Sequence, residues 1–390
     1  MAVPPDQRAP ALGYQLPAGA RNESDQAHAL VALAVDVSWL DDGAVLFLPR
    51  SPQAEAELAR FCESFGRRHP TRDLQRVEQP EDDRLALRIA GPGAERWLRH
   101  SLARTSPTLG ARLRRRARLG ERMRTLTRGA RVLPSFFIIG APRSGTTTLF
   151  HALMQHPSLV PPARKELAFF NLLHRQGLPW YRSQFPAAWQ RVRARLRSGA
   201  FATGDATPTY LFNPHAARRI QTAVPDARLI VLLRDPVERA YSHYHWARGM
   251  GYELLSFEEA VRREPERVDG ELERMLADED YVSFPRSYLS YVGMGRYIDQ
   301  LLAWQEVFPA EQMLVLCAED LRQRPAATLD HALSFLGMPE LTLPQPSERN
   351  SGSYPPMSDA MRAHLRQEFA ADDERLKQHL GWTPAWMRPG

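Results

Sequence analysis

The chain has 390 residues, of which 43% are hydrophobic and 25% charged, and it carries a formal charge of +6. These values fit a folded globular protein and exclude a fibrous, low-complexity or disulfide-dense one. Of the 51 basic residues only Lys165 and Lys377 are lysines, and the modest positive balance is compatible with anionic nucleotide partners without requiring them.

Residues 1–25, rich in Pro, Ala, Gly and polar types, read as a disordered leader. The opening Met1-Ala2-Val3-Pro4-Pro5-Asp6 lacks a basic stretch followed by an apolar run, so no signal peptide is expected. The most apolar window, Ala29 to Leu40, contains Asp36 and is too short to span a bilayer. A soluble, cytoplasmic protein without a transmembrane segment is expected. Cys62 and Cys317 lie far apart with no metal-type or redox-type spacing, which favours two reduced thiols.

Residues 26–105 read as a small α/β module to which no chemistry is assigned. Strands are predicted at Ala29–Val37 and Ala44–Leu48, on either side of the turn-like Asp41-Asp42-Gly43, and at Arg84–Ile89. Helices are predicted at Pro52–Phe65 and Gly93–Ala103. Residues 106–132 form a basic linker helix, with Arg112, Arg114, Arg115, Arg116, Arg118, Arg122, Arg124, Arg128 and Arg131. A solvated arginine-rich face is favoured here over a surface for anionic glycan, membrane or nucleic acid. The aromatic residues of a base-stacking platform are missing, so no nucleic-acid partner is expected.

From residue 133 to 390 strands alternate with helices. Phe136-Phe137-Ile138-Ile139, Arg228 to Leu233 and Met313 to Leu316 are short continuous apolar runs, suited to strands covered on both faces. Helices follow each: Thr146–Gln155, one starting at Asp235-Pro236, and one near Ala326–Leu336. A final long helix is predicted within Met357–Trp386, ending near Gly381. The fold class is therefore α/β: a P-loop-type, mostly parallel sheet with helices on both faces, preceded by the small α/β N-terminal module.

The first strand runs into Gly140-Ala141-Pro142-Arg143-Ser144-Gly145-Thr146-Thr147. A glycine turn that aims successive N–H groups at one point, followed by a helix N-terminus, makes an anion site. The nucleoside-triphosphate loop GxxxxGK[ST] would have lysine where Thr146 stands, and here the cation is Arg143 inside the loop. That counts against a Mg²⁺-dependent P-loop kinase, which is kept as the alternative.

The segment Ala141 to Thr147 resembles the 5′-phosphosulfate loop of sulfotransferases that use 3′-phosphoadenosine 5′-phosphosulfate (PAPS), most closely in the heparan sulfate and tyrosylprotein branches, and the chain as a whole is most similar to the heparan sulfate branch. Leu232-Leu233-Arg234-Asp235-Pro236 through Ser242 resembles the 3′-phosphate element, an arginine leaving a strand and a serine eight residues later. The resemblance implies PAPS as co-substrate, no metal, and a nucleotide held by Arg143, Ser144, Gly145, Thr146, Thr147, Arg234 and Ser242. Arg349 and Gly352 match the family's closing loop more loosely.

Lys165-Glu166-Leu167-Ala168-Phe169-Phe170 is similar to the segment carrying the catalytic glutamate in the heparan sulfate branch. This implies Glu166 as base, Lys165 beside it, and Arg143 on the leaving phosphate. Gly204-Asp205-Ala206-Thr207-Pro208-Thr209-Tyr210 resembles the family's Glu-Lys-Thr-Pro-x-Tyr element, with Ala206 in place of the functional lysine. Asp205 and Tyr210 are implied as substrate-binding. The expected acceptor is a hydroxyl or amine of a carbohydrate or glycosylated metabolite. A peptide tyrosine, or a non-catalytic glycan-binding role, is the competing reading.

Overall fold

The computed structural model describes residues 36–40, 43–49, 55–56, 58–59, 73–77, 84–90, 123–344 and 354–388. The expected leader, the helix at 93–103, most of the basic linker, and Cys62, Arg349 and Gly352 lie outside the described residues. The chain divides into two compact units, Met1–Gly120 and Glu121–Gly390.

The first unit contains an antiparallel sheet of β1 (Asp36–Leu40), β2 (Gly43–Pro49), β3 (Asp73–Val77) and β4 (Arg84–Ala90), in the order β1-β2-β4-β3. Leu40 pairs with Gly43, so β1 and β2 form a tight hairpin. Of the strand expected at Ala29–Val37, Asp36 and Val37 fall in β1, and the rest lies outside the described residues. β3 was not predicted: its sequence, DLQRV, has only two apolar residues and no clean alternation.

In the second unit the order along the chain is β5 (Phe136–Gly140), α1 (Thr146–Leu153), α2 (Gly177–Ser183), α3 (Ala188–Ser198), β6 (Gly204–Ala206), α4 (Ala216–Ala223) and β7 (Arg228–Leu233). Then follow α5 (Pro236–Gly249), α6 (Phe257–Val268), α7 (Tyr297–Gln305), β8 (Met313–Cys317), α8 (Pro325–Phe335) and α9 (Asp359–Leu380), with shorter helices between. The four strands are parallel and ordered β6-β5-β7-β8. β6 is three residues long and was read from sequence only as part of a motif.

The apolar runs are continuous because both sheet faces are covered. Phe137, Ile139, Leu229, Val231 and Leu233 pack into one core with Tyr181, Ile220, Leu301 and Trp304. Their alternating neighbours Phe136, Ile138, Ile230 and Leu232 pack on the other face with Leu149, Leu153, Leu329 and Leu333. Complete burial of a side chain of this size stabilises by about 1.5–3 kcal/mol, so Phe136–Ile139 anchor the strand from which the anion loop springs. A third core joins Val237, Ala240 and Tyr244 of α5 to Leu365 and Phe369 of α9.

Helix ends follow their capping residues. The Asp235 side chain accepts the Val237 N–H, with Pro236 in the first turn of α5. Ser358 accepts the Met361 N–H at the start of α9, and Gly381, at φ +71°, ends it.

Candidate active site

The loop after β5 is shaped by close backbone approach. The register of β5 against β7 shifts between Ile138 and Gly140, and the Ala141 N–H donates to the Leu232 carbonyl at 2.9 Å. A Cβ on Gly140 would overlap the Leu211 side chain, so glycine is required there. Arg143 (φ +68°) and Gly145 (φ +88°) are both left-handed, which folds the chain back before α1. The first-turn amides of α1 have no intrahelical acceptor. Ser144 is 1% exposed, and its Oγ is buried without a hydrogen-bond partner. A buried orphan hydroxyl beside the start of a helix is a cradle for an oxyanion.

Two side chains distant in sequence complete it. Arg143 Nε donates to Ser242 Oγ at 3.2 Å, and Arg234 Nη1 donates to the Arg143 carbonyl at 3.2 Å. Tyr297 Oη donates to the Arg234 carbonyl at 2.8 Å, which fixes the end of β7. Behind them Arg239 is fully buried, donating to the Tyr291 carbonyl while its Nε stays unpartnered. Burial lowers the Arg143 pKa, and Arg234 and Arg239 push the same way while Tyr354 and Glu166 oppose them. Three guanidinium groups with this mutual repulsion favour an anionic guest. His243, also in this cluster, is held well below the usual imidazole range by burial and by Arg239 and Arg143, so it stays neutral.

The end of β7 and the start of α5 are gripped by α9. Arg366 engages both oxygens of Asp235, with Nη1 to Oδ1 at 3.0 Å, and Arg362 pairs with Glu238 on the first turn of α5. The Asp235 N–H donates to Glu319 at 3.0 Å. Arg366 was not singled out from the sequence, while Arg239, near the start of α5, reads there as support for Arg234 and Ser242.

The segment bearing Glu166 is held in an unusual path. Glu166 (φ +58°) and Ala168 (φ +52°) are both left-handed, a strained choice for residues with a Cβ. Lys165 Nζ lies 3.0 Å from Glu166 Oε1; the lysine is mostly covered while the glutamate side chain is 55% exposed. Glu166 is also among the charges that act on Arg143.

A buried carboxylate stabilises that path. Asp205, 0% exposed, accepts the hydroxyls of Tyr181 (3.0 Å), Tyr210 (2.8 Å) and Thr207 (2.8 Å). In turn Thr207 Oγ1 accepts the Ala168 N–H at 3.2 Å and Tyr210 Oη the Phe169 N–H at 2.9 Å. Burial raises the Asp205 pKa, opposed by its three hydroxyl donors. Asp205 and Tyr210 therefore differ from the expected acceptor contacts. Both are fully buried and support the Glu166 segment from behind. Ala206 is buried in β6 beside β5.

Residues 133–350 match the family model described as the sulfotransferase domain. The chain is 27% identical over 321 residues to the membrane-associated sulfotransferase kil1 of Dictyostelium discoideum, covering 65% of this chain and 67% of that protein. It is 33% identical over 213 residues to the mouse heparan sulfate glucosamine 3-O-sulfotransferase 3A1, covering 55% of this chain and 48% of the relative. Against the bifunctional heparan sulfate N-deacetylase/N-sulfotransferase 1 of Caenorhabditis elegans identity is 27% over 288 residues, spanning only 31% of that protein. The crystal structure of a sulfotransferase from Alicyclobacillus acidocaldarius shares 30% identity at a TM-score of 0.50, covering 66% of this chain and all of that one. With a parallel sheet, an arginine-bearing anion loop and a family match over more than half its length, the chain belongs to the sulfotransferase family.

Proposed function

We propose that the protein transfers a sulfuryl group from PAPS to a hydroxyl or amine of a carbohydrate or glycosylated acceptor. The convergence of Arg143, Arg234 and Ser242 at one end of the parallel sheet carries this reading. It supplies cations and a hydroxyl for two separate anionic groups of one nucleotide. Arg143, Ser144, Gly145, Thr146 and Thr147 would hold the 5′-phosphosulfate, and Arg234 with Ser242 the 3′-phosphate.

In this reaction the acceptor oxygen or nitrogen bonds to sulfur as the bond from sulfur to the bridging phosphate oxygen breaks. The electron pair leaves with 3′-phosphoadenosine 5′-phosphate (PAP). Glu166 takes the acceptor proton, with Lys165 Nζ 3.0 Å from its Oε1, and Arg143 with the loop amides stabilises the charge growing on the phosphate. The relatives named for heparan sulfate support a sugar acceptor, while Ala206 in place of lysine argues against the same set of acceptor contacts. The direct test is PAP binding by calorimetry, followed by PAPS turnover with a panel of sugar, amine and phenol acceptors. Absence of PAP binding overturns the proposal, and sulfation of phenols alone would replace the sugar by a tyrosine-like acceptor.

A further inference from the structure

Helix α3 is built the wrong way round for a surface helix. Its apolar side chains Trp189 (61% exposed), Val192 (55%) and Leu196 (84%) stand in solvent, and its single buried residue is Ala194. At about 100° per residue the three exposed side chains fall within an arc of about 60°, on the side opposite Ala194. An ordinary amphipathic helix turns such a stripe toward the core.

The rest of the helix is arginine. Arg191, Arg193, Arg195 and Arg197 are all exposed, and its sequence, AWQRVRARLRS, contains no acidic residue. None of these four has a carboxylate partner among the described residues, although many other exposed arginines of this unit are paired. Arg193 and Arg197 border the apolar stripe on one edge and Arg195 on the other. The basic run noted in the sequence ends beside this helix: Arg131 bridges Ala187, the residue that precedes α3.

We propose that this face of α3 binds the surface of an anionic lipid bilayer. A polyanionic glycan or a nucleic acid would use the arginines and leave Val192 and Leu196 in water. A bilayer uses both, with Trp189, Val192 and Leu196 entering the boundary of headgroups and acyl chains and the guanidinium groups meeting lipid phosphates. In this arrangement the axis of α3 lies in the plane of the membrane surface. The inference is independent of the nucleotide chemistry, because α3 carries none of the residues assigned to it.

The test is co-sedimentation of the full chain with vesicles of phosphatidylcholine alone and of phosphatidylcholine mixed with phosphatidylglycerol. Binding to the anionic vesicles is expected, weakening as salt is raised. Trp189→Glu with Leu196→Glu should lower the partition coefficient at least about tenfold, since each apolar side chain is withdrawn from the bilayer. Arg193→Glu with Arg197→Glu should abolish the preference for anionic lipid. Thermal melting and PAP calorimetry on the same variants should be unchanged, which separates this proposal from the assignment of the nucleotide site. Equal vesicle binding by wild type and Trp189→Glu/Leu196→Glu would overturn it. So would absence of binding, or self-association in vesicle-free sedimentation velocity that the same pair of substitutions abolishes.

Discussion

Arg143 Nε and Ser242 Oγ lie 3.2 Å apart although ninety-nine residues separate them in the chain. The contact locks the anion loop to the middle of α5. Arg143→Ala is expected to weaken PAP binding about 10- to 100-fold, the range for a charge-assisted hydrogen bond, with Ser242→Ala costing about tenfold or less. Calorimetry with PAP reads both, and equal losses for the two would contradict the ranking.

Glu166→Gln keeps the shape of its segment and removes the proton acceptor. Turnover should fall about 10²- to 10⁴-fold while PAP affinity stays near that of the wild type, since the nucleotide contacts lie in other segments. Single-turnover sulfation measured beside PAP calorimetry checks this, and unchanged turnover would remove Glu166 from the reaction.

Tyr210→Phe deletes the hydroxyl that joins the Phe169 N–H to Asp205. A buried amide and a buried carboxylate oxygen each lose a partner, so the fold should lose on the order of 1–3 kcal/mol. The Glu166 segment loses a tether, and kcat should fall with PAP affinity unchanged. Denaturant titration and turnover together check this. A loss of PAP affinity instead would place Tyr210 on the nucleotide side.

Asp373 gives a pH signature. Burial pushes its carboxyl up to about 6 from an ordinary 3.8, with Trp386 and Arg366 opposing the shift and Asp235 and Asp372 adding to it. Its folded pKa is raised, so its contribution to stability is fully present below the unfolded value and is lost as pH rises through about 6. Asp373→Asn should therefore melt like the wild type at low pH and at a higher temperature above that transition. Thermal unfolding across the range checks the sign.

Gly140→Ala places a methyl group against Leu211 at the point where β5 enters the loop. Overpacking of this kind costs about 1–3 kcal/mol. Here the displacement falls on the anion loop, so PAP affinity should drop along with the melting temperature.

The parallel strands were readable because Phe136–Ile139 and Leu229–Leu233 are buried on both faces and leave an uninterrupted apolar run. β3 and β6 were not, one for its polar side chains and the other because three residues carry no period. Arg143, Arg234 and Ser242, which the fold brings together, could be singled out because each stands in a local motif of fixed spacing. The supporting roles of Asp205 and Tyr210 were not legible, since a motif names residue types and does not say which way they face. Arg366 was invisible for a different reason: its partner Asp235 lies 131 residues away.

That same clamp imposes an order on synthesis. Asp235 caps α5 and positions the neighbouring Arg234, but its grip comes from α9, near the end of the described chain. A ribosome that has delivered the whole parallel sheet has not yet delivered Arg366. The nascent protein therefore presents the Arg143 loop before Asp235, at the start of α5, is held in place by α9.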